Sequence, residues 1–361
     1  MPPKKILIVI DAFTKGGAQN VLKIIINEWL KTSIEVEIVF IQNSKSELNL
    51  NELKASGLRI HRLNAFSTID LIKFLEFRKI VENFKPDQIH AHLYWSQIWC
   101  GLLKKKDKRR RIVWIEHNTY INRTSIKWIL YKLLSKRVNQ IIAVSSEVKE
   151  FLNGKVLSPV KVIVNPVKTH RTRTVRNFNK PSFMFVGRLN NQKNPLLAIQ
   201  SFNYALINKF IPENSMLYIA GEGPLKNELE NYIDLNDLAK SVKILGFLNS
   251  ETLSIYYSKS IALVSTSKFE GFSLVRVEAL SKGCNVITTR TSGILGILTK
   301  SENYQDLILG VIIVQNDLIN IALAFKESLK RKYWNTFAIS ERQNIFKKHN
   351  PVLISKKYLI N

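Results

Sequence analysis

Cysteine is nearly absent: the 361 residues include two, Cys100 and Cys284. Two thiols cannot build a disulfide framework, and neither has a metal-ligand neighbour at finger-like spacing. No uninterrupted apolar run is long enough to span a bilayer. The opening Met1-Pro-Pro-Lys-Lys, followed by ILIVI, lacks the longer apolar core and small-residue cleavage site of a secretory signal. A cytoplasmic address is the expectation. The dinucleotide fingerprint GxGxxG is missing as well, which disfavours a nicotinamide-dependent Rossmann enzyme. The last shortage is of acid: 28 acidic residues stand against 54 basic ones, a formal net charge of +26.

The excess is uneven. Residues 1–180 contain 33 basic and 14 acidic residues, a net of +19, while the remainder has 21 and 14, a net of +7. The densest run is KKKDKRRR, 104–111. Such asymmetry points to an anionic partner for the first half: nucleic acid, a membrane surface or a phosphorylated substrate. A solvated basic loop would have the same composition. Specific nucleic-acid binding needs a recognition helix, an RNA-binding sheet motif or aromatics interleaved with the basic run. The 104–111 run has none of these, so no specific nucleic-acid partner is expected.

The chain alternates short β-rich apolar runs with helical patterns. KILIVI (5–10), VEIVFI (36–41), LRIHRL (58–63), DQIHAH (87–92), RIVWIEH (111–117), NQIIAVS (139–145) and VKVIVNPV (160–167) form one series. THRTRTVRNFNKP, ending at Pro181, has no apolar period and reads as a linker. A second series follows: SFMFVGRL (182–189), MLYIAGEG (216–223), VKILGF (242–247), IALVST (261–266) and NVITT (285–289). This alternation predicts two doubly wound α/β domains of Rossmann type, facing each other across a cleft. Ligands in such sheets bind at the carboxyl ends of the strands.

Candidate polar clusters fall just after those strands. GGAQ (16–19) joins the first strand to its helix, where Gly16 and Gly17 let backbone approach a ligand and the helix start offers N–H groups to a phosphate. A plain tight turn would look alike. In VGRLNNQKNP (186–195), Arg188 and Lys193 are two cations five residues apart on one loop, suited to different oxygens of one diphosphate. GEGP (221–224) reads as a glycine turn, led by Gly221, that opens a helix. His90 and His92 in IHAH could share a face, but no carboxylate or thiolate stands close by in sequence to complete a metal site. His117, followed by Asn118 and Thr119, is the most polar strand end of its domain and the one expected to face the cleft. A structural histidine is the alternative.

KFEGFSLVRVEALSKG (268–283) spaces Glu270 and Glu278 eight residues apart. Paired carboxylates suggest a general acid and base. Placement on a strand, a KFEGF turn and a helix stopping at Gly283 suggests something else. Glu270 falls in the loop and Glu278 inside the helix, either side of amides at Ser273, Leu274 and Val275 that welcome an anion. Carboxylates accept strongly from hydroxyl pairs, so the expected ligand is a sugar–phosphate–ribose held in a clamp.

With GGAQ, HAH, EHN, VNP, VGRLNNQKNP, IAGEGP, VKILGF and EGFSLVRVEALSKG in this order, most of the chain resembles the retaining glycosyltransferases of family 4, which have the GT-B fold. The last segment fits the family's E-x7-E pattern. The resemblance implies an N-terminal acceptor-binding domain at 1–170, a linker at 171–181, a nucleotide-sugar-binding domain at 182–340 and a C-terminal helix within 341–361 crossing back to the first domain. It implies a nucleotide-sugar donor, UDP- or GDP-linked, and a glycan or lipid-linked acceptor in cell-surface polysaccharide or glycolipid synthesis. Neither a metal nor another cofactor is implied. Glu278 would take the ribose hydroxyls and Glu270 those of the donor sugar. Arg188 and Lys193 would neutralise the diphosphate, with the amides of Gly271, Phe272, Ser273 and Leu274. Gly16, Gly17 and Gly221 would bring backbone to the donor, and His117 would stand near the reacting sugar. Ser273 replaces a common glycine, Asn285 a common proline, and TSGILGIL (291–298) lacks the acidic residue frequent there. A catalytically silent GT-B scaffold would carry much the same motifs.

Many family members act at the cytoplasmic membrane face. In RTSIKWILYKLLSKRV (123–138), Ile126, Ile129, Leu130 and Leu133 recur at helical spacing among Lys127, Lys132, Lys136 and Arg137. Such a helix could lie on an anionic membrane. A helix packed on its own sheet, with a basic outer face, is the alternative.

Overall fold

The structure is a computed structural model that describes residues 3–12, 17–43, 57–67, 69–103, 110–119, 124–167, 180–291, 310–330 and 346–359. Gly16, residues 104–109 of the basic run, nearly all of the 171–181 linker and TSGILGIL beyond Thr291 lie outside the described residues. The chain divides into two compact units, Met1–Val167 with His349–Asn361, and Lys168–Lys348.

The first unit is built on a seven-stranded parallel sheet. Its strands are β1 (Lys5–Ile10), β2 (Glu35–Gln42), β3 (Arg59–Ala65), β4 (Gln88–His92), β5 (Arg111–Glu116), β6 (Gln140–Ala143) and β7 (Val160–Val162), in the order β3-β2-β1-β4-β5-β6-β7. A central parallel strand is covered on both faces and must be apolar throughout. KILIVI meets that demand, with Ile6 to Ile10 fully buried. The crossover helices are α1 (Gly17–Trp29), α2 (Leu71–Phe84), α3 (Tyr94–Leu102), α4 (Ser125–Ser135) and α5 (Ser146–Leu152). In α1, Val21, Leu22, Ile25, Ile26 and Trp29 turn inward at the i, i+4 spacing of one helical face. Asp70 caps α2 by accepting from the Lys73 amide, and Ser145 does the same for α5 at Val148.

The helix at the chain's end, α11 (Pro351–Lys357), belongs to this unit. Trp29 Nε1 donates to the Ser355 carbonyl at 3.1 Å, and Val167 N donates to the His349 carbonyl at 2.9 Å. Ile354 and Tyr358 are fully buried. Helix α4 behaves differently: it buries Tyr131, Leu134 and Ser135 but leaves Ile126, Ile129 and Leu133 at 79%, 60% and 62% exposure. Its outer face is therefore apolar as well as basic.

The second unit repeats the plan with six parallel strands: β8 (Ser182–Val186), β9 (Met216–Ala220), β10 (Val242–Gly246), β11 (Ala262–Ser265), β12 (Asn285–Thr289) and β13 (Val311–Val314), in the order β10-β9-β8-β11-β12-β13. Helices α6 (Pro195–Ile207), α7 (Lys226–Leu235), α8 (Ser250–Lys259), α9 (Leu274–Ser281) and α10 (Leu318–Ser328) accompany them. Phe183 on β8 meets Phe325 of α10 edge-to-face at 4.7 Å and Phe202 of α6 at 6.1 Å, which ties two helices to the central strand.

The pairing of β8 and β9 continues past their ends. Gly187 N donates to the Ala220 carbonyl at 3.0 Å and Leu189 N to the Glu222 carbonyl at 2.9 Å. At Gly221, with φ +151°, a Cβ would stand 1.8 Å from the Gly187 carbonyl oxygen. No side chain fits there. Gly221→Ala is expected to destabilise the second unit by at least about 2 kcal/mol. A urea midpoint equal to that of the wild type would contradict the close approach.

Candidate active site

In the second unit the polar residues converge where β8, β11 and β12 end. Ser267, Lys268 and Phe269 continue β11 into the loop that carries Glu270, and Ser273 begins α9. The β8 loop is fastened to this one: Lys268 N donates to the Gln192 carbonyl at 2.8 Å, and Gln192 Nε2 donates to the Phe269 carbonyl at 3.1 Å. Thr266 Oγ1 lies 3.0 Å and 2.7 Å from the Lys193 and Asn194 carbonyls. These contacts hold Lys193 beside Glu270, and the two side chains form an ion pair that Ser267 Oγ joins at 3.0 Å. Arg188, on the same loop, is exposed.

Arg276 completes the cluster from α9. It is 0% exposed, donating from Nε to Ser265 Oγ at 3.1 Å and from Nη2 to Thr291 Oγ1 at 2.7 Å. Its Nη1 has no partner among the described residues. Burial alone would raise the pKa of Glu270, but Lys193 and Arg276 outweigh burial and hold the carboxylate below its ordinary range. Burial also lowers the pKa of Arg276, and Glu270 offsets part of that. Breaking such a pair by removing one member leaves a buried charge uncompensated.

Glu278 is in the opposite situation. Burial pushes its pKa from 4.5 up to about 7, with no cation among the described residues offsetting the shift. Tyr257 of α8 is buried nearby, its phenol pKa raised by burial, by Glu278 and by Cys284. Between the two carboxylates, Ser273 is the N-cap of α9, yet its buried hydroxyl caps nothing and has no partner among the described residues. The first amides of α9 thus lack a side-chain cap among the described residues, an arrangement that suits an anion. Gly271 is buried and Phe272 partly buried next to that start, with Leu274 as the first helical residue. Gly221 lies at the end of β9, across the zipped β8 loop from Arg188.

His117 belongs to the first unit, just beyond β5, and is nearly buried. Its Nε2 lies 3.0 Å from His92 Nδ1 at the end of β4, with the ring centroids 5.3 Å apart and the planes inclined by 25°. Burial lowers the His117 pKa to about 4. Gly17 opens α1 in the same unit. His90, by contrast, is a core residue, edge-on to Trp29 at 5.3 Å and desolvated to a pKa of about 3. No group of three or more potential metal ligands occurs among the described residues.

Sequence reasoning passed over three residues of these clusters. Nothing in the sequence sets Arg276 apart from the other basic residues on helices. His92 looked like half of an unsupported pair. Asp11 follows β1 directly and caps α3, its carboxylate accepting from the Trp95 and Ser96 amides at 3.1 Å and 2.7 Å. The available signal for Asp11 was its position, a carboxylate at the carboxyl end of a fully apolar strand.

Two parallel-sheet Rossmann-like units with their polar residues at strand ends define the GT-B glycosyltransferase fold. Anabaena HepE, solved in complex with UDP, superposes with a TM-score of 0.78 at 15% identity, covering 98% of both chains. Sucrose-phosphate synthase from Thermosynechococcus elongatus gives 0.79 at 16% identity, covering 98% of this chain and 97% of that one. Residues 167–348, just over half of the chain, match the model of the glycosyl transferases group 1 family, and residues 15–171 match that of Glycosyltransferase Family 4. The protein belongs to the group 1 glycosyl transferases and is a glycosyltransferase.

Relatives extend the similarity along the chain. The Campylobacter jejuni GalNAc-alpha-(1->4)-GalNAc-alpha-(1->3)-diNAcBac-PP-undecaprenol alpha-1,4-N-acetyl-D-galactosaminyltransferase is 25% identical over 313 residues, 85% of this chain and 84% of that enzyme. The Escherichia coli UDP-Gal:alpha-D-GlcNAc-diphosphoundecaprenol alpha-1,3-galactosyltransferase is 27% identical over 246 residues, 62% of this chain and 63% of its own.

The raised pKa of Glu278 has a consequence for stability. Between its ordinary value of 4.5 and about 7, the folded protein keeps a proton that the unfolded chain has lost. Stability contributed by that proton is present at low pH and is lost as pH rises through this window. Relative to Glu278→Gln, the wild type should lose up to about 3 kcal/mol between roughly pH 4 and pH 8. Parallel thermal melts of the two proteins at every pH would contradict the shift.

Proposed function

We propose that the protein transfers a sugar from a UDP- or GDP-sugar to a glycan or lipid-linked acceptor, with retention at the anomeric carbon and without an essential metal. The observation that carries this reading is the buried carboxylate Glu270, kept ionised between Lys193 and Arg276 beside the uncapped start of α9. Such a site offers cations and amides to a diphosphate and carboxylates to hydroxyls. HepE with bound UDP supports the choice of a nucleotide, and the named undecaprenyl diphosphate acceptors of the two relatives support a lipid-linked acceptor.

In this reading Glu278 accepts from the ribose hydroxyls and Glu270 from those of the donor sugar. The bond from the anomeric carbon to the diphosphate oxygen breaks as the bond to the acceptor oxygen forms, on the same face of the ring. Negative charge grows on the departing diphosphate, where Arg188, Lys193 and the amides of Gly271 to Leu274 meet it. Fixed donors aimed at developing charge supply the main rate acceleration. The acceptor proton leaves on the diphosphate oxygen, so neither glutamate needs to move one. Gly16, Gly17 and Gly221 bring backbone to the donor, and His117 stands by the reacting sugar.

The exposed Ile126, Ile129, Leu130 and Leu133 of α4, flanked by Lys127, Lys132 and Lys136, further support peripheral attachment to the anionic inner face of the cytoplasmic membrane, where cell-surface polysaccharide is assembled on lipid carriers. No helix among the described residues is long and apolar enough to cross a membrane.

A thermal-shift panel of UDP-, GDP-, ADP- and dTDP-sugars is expected to give one selective response. Arg188→Ala and Lys193→Ala should each lower transfer from that donor by about two to three orders of magnitude. Near-normal rates in either variant sink the mechanism. Vesicles rich in phosphatidylglycerol should sediment the protein at low salt, and Ile129→Asp with Leu133→Asp should abolish this. Failure of the wild type to sediment refutes the membrane reading alone.

A further inference from the structure

The imidazoles at the ends of β4 and β5 share one hydrogen bond, and that bond fixes more than their positions. His92 Nδ1 and His117 Nε2 are 3.0 Å apart, so one of the two atoms carries a proton and the other does not. Both rings are neutral near pH 7. Burial lowers the pKa of each, and His117 and then His90 depress that of His92 further. Two proton arrangements remain. In the first, His92 donates from Nδ1, its Nε2 is bare, and His117 carries its own proton on Nδ1. In the second, His117 donates from Nε2, its Nδ1 is bare, and the proton of His92 sits on Nε2.

The surroundings decide between them. His92 is 1% exposed, and its Nε2 is fully buried with no partner among the described residues. An orphaned N–H in a protein interior is rarer and more costly than an acceptor left without a donor. The second arrangement creates such an N–H and the first does not. The backbone of His117 is fixed as well: its amide donates to Glu116 Oε1 at 3.2 Å, and Tyr131 OH donates to Glu116 Oε2 at 3.2 Å. Its Nδ1 is the ring nitrogen left open.

We infer that His92 is a positioning residue that locks His117 in the Nδ1–H tautomer, so that His117 meets its ligand as a hydrogen-bond donor and not as a proton acceptor. The partner on the ligand is an oxygen with a free lone pair. Only the identity of that oxygen rests on the glycosyltransferase mechanism proposed above; the tautomer is a property of the free protein.

Long-range 15N–1H correlation spectra of histidine-labelled protein at pH 7 test the assignment without any substrate. The expected pattern is His117 protonated at Nδ1 and bare at Nε2, and His92 likewise. A His117 protonated at Nε2 in the wild type overturns the inference. Asparagine places an amide N–H where His92 has Nδ1, so His92→Asn should keep the His117 tautomer. His92→Leu should populate both tautomers and lower kcat with the donor found in the panel about tenfold, with His92→Asn recovering most of it. A folded His92→Leu protein with an unshifted His117 also overturns the inference. A tautomer as assigned, in a protein that responds to no nucleotide sugar, rejects the proposed donor chemistry and leaves the histidine pair standing.

Discussion

Glu270 is a carboxylate in the interior, and the loops at the end of β11 are arranged around keeping it charged. An isolated ion at that depth would neutralise itself or destabilise the unit. Lys193 reaches it from the β8 loop, Arg276 lies close by on α9 and Ser267 donates from its own loop. Each of these in turn needs its element fixed: the Lys193 loop by Thr266 and Gln192, Arg276 by Ser265 and Thr291. The polar residues thus form one network rather than a row of independent sites. Without a ligand, the charge of Lys193 is committed to Glu270. In the proposed function, a diphosphate arriving there would enter an already balanced set of charges and redistribute it.

The two glutamates, one in the loop before α9 and one inside that helix, have been driven apart electrostatically. Cations beside Glu270 keep it ionised, while Glu278 sits where burial keeps it close to half-protonated at neutral pH. Divergent environments often separate an acid from a base. Here they separate a fixed charge from an adaptable one. In the proposed function, a pair of hydroxyl donors arriving at Glu278 would favour its charged form and so couple ligand binding to release of a proton.

Much of the fold was legible because its rules are local. KILIVI had to be a strand covered on both faces, and SLVRVEALSKG had to be a helix ending at a glycine. Strand ends then indicated where polar clusters belong, and Glu270 in a loop with Glu278 one helix inward followed from the same pattern. What stayed hidden depends on sheet order. Lys193 and Glu270 are 77 residues apart and meet because β8 and β11 are neighbours. His92 and His117 meet across β4 and β5, 25 residues apart. Arg276 sits between Val275 and Val277, and nothing in that triplet says that its guanidinium turns inward. Helix α4 left two readings open in the sequence: apolar residues at helical spacing normally mark a buried face, and here several of them are the exposed ones, the placement that a helix lying on a membrane needs.

The contact between Gly221 and the Gly187 carbonyl bears on how the β8 loop behaves in time. Backbone packed directly on backbone, with amides bonded on both sides, leaves no room for the loops after β8 and β9 to shift independently. They form a single plate from which Arg188 and Lys193 project. The entropy of ordering that plate is lost once, when the chain folds, and not again at each catalytic cycle. The absent methyl group of Gly221 thereby acts as a mechanical part: a hinge removed from the place where a flexible loop would otherwise have to close.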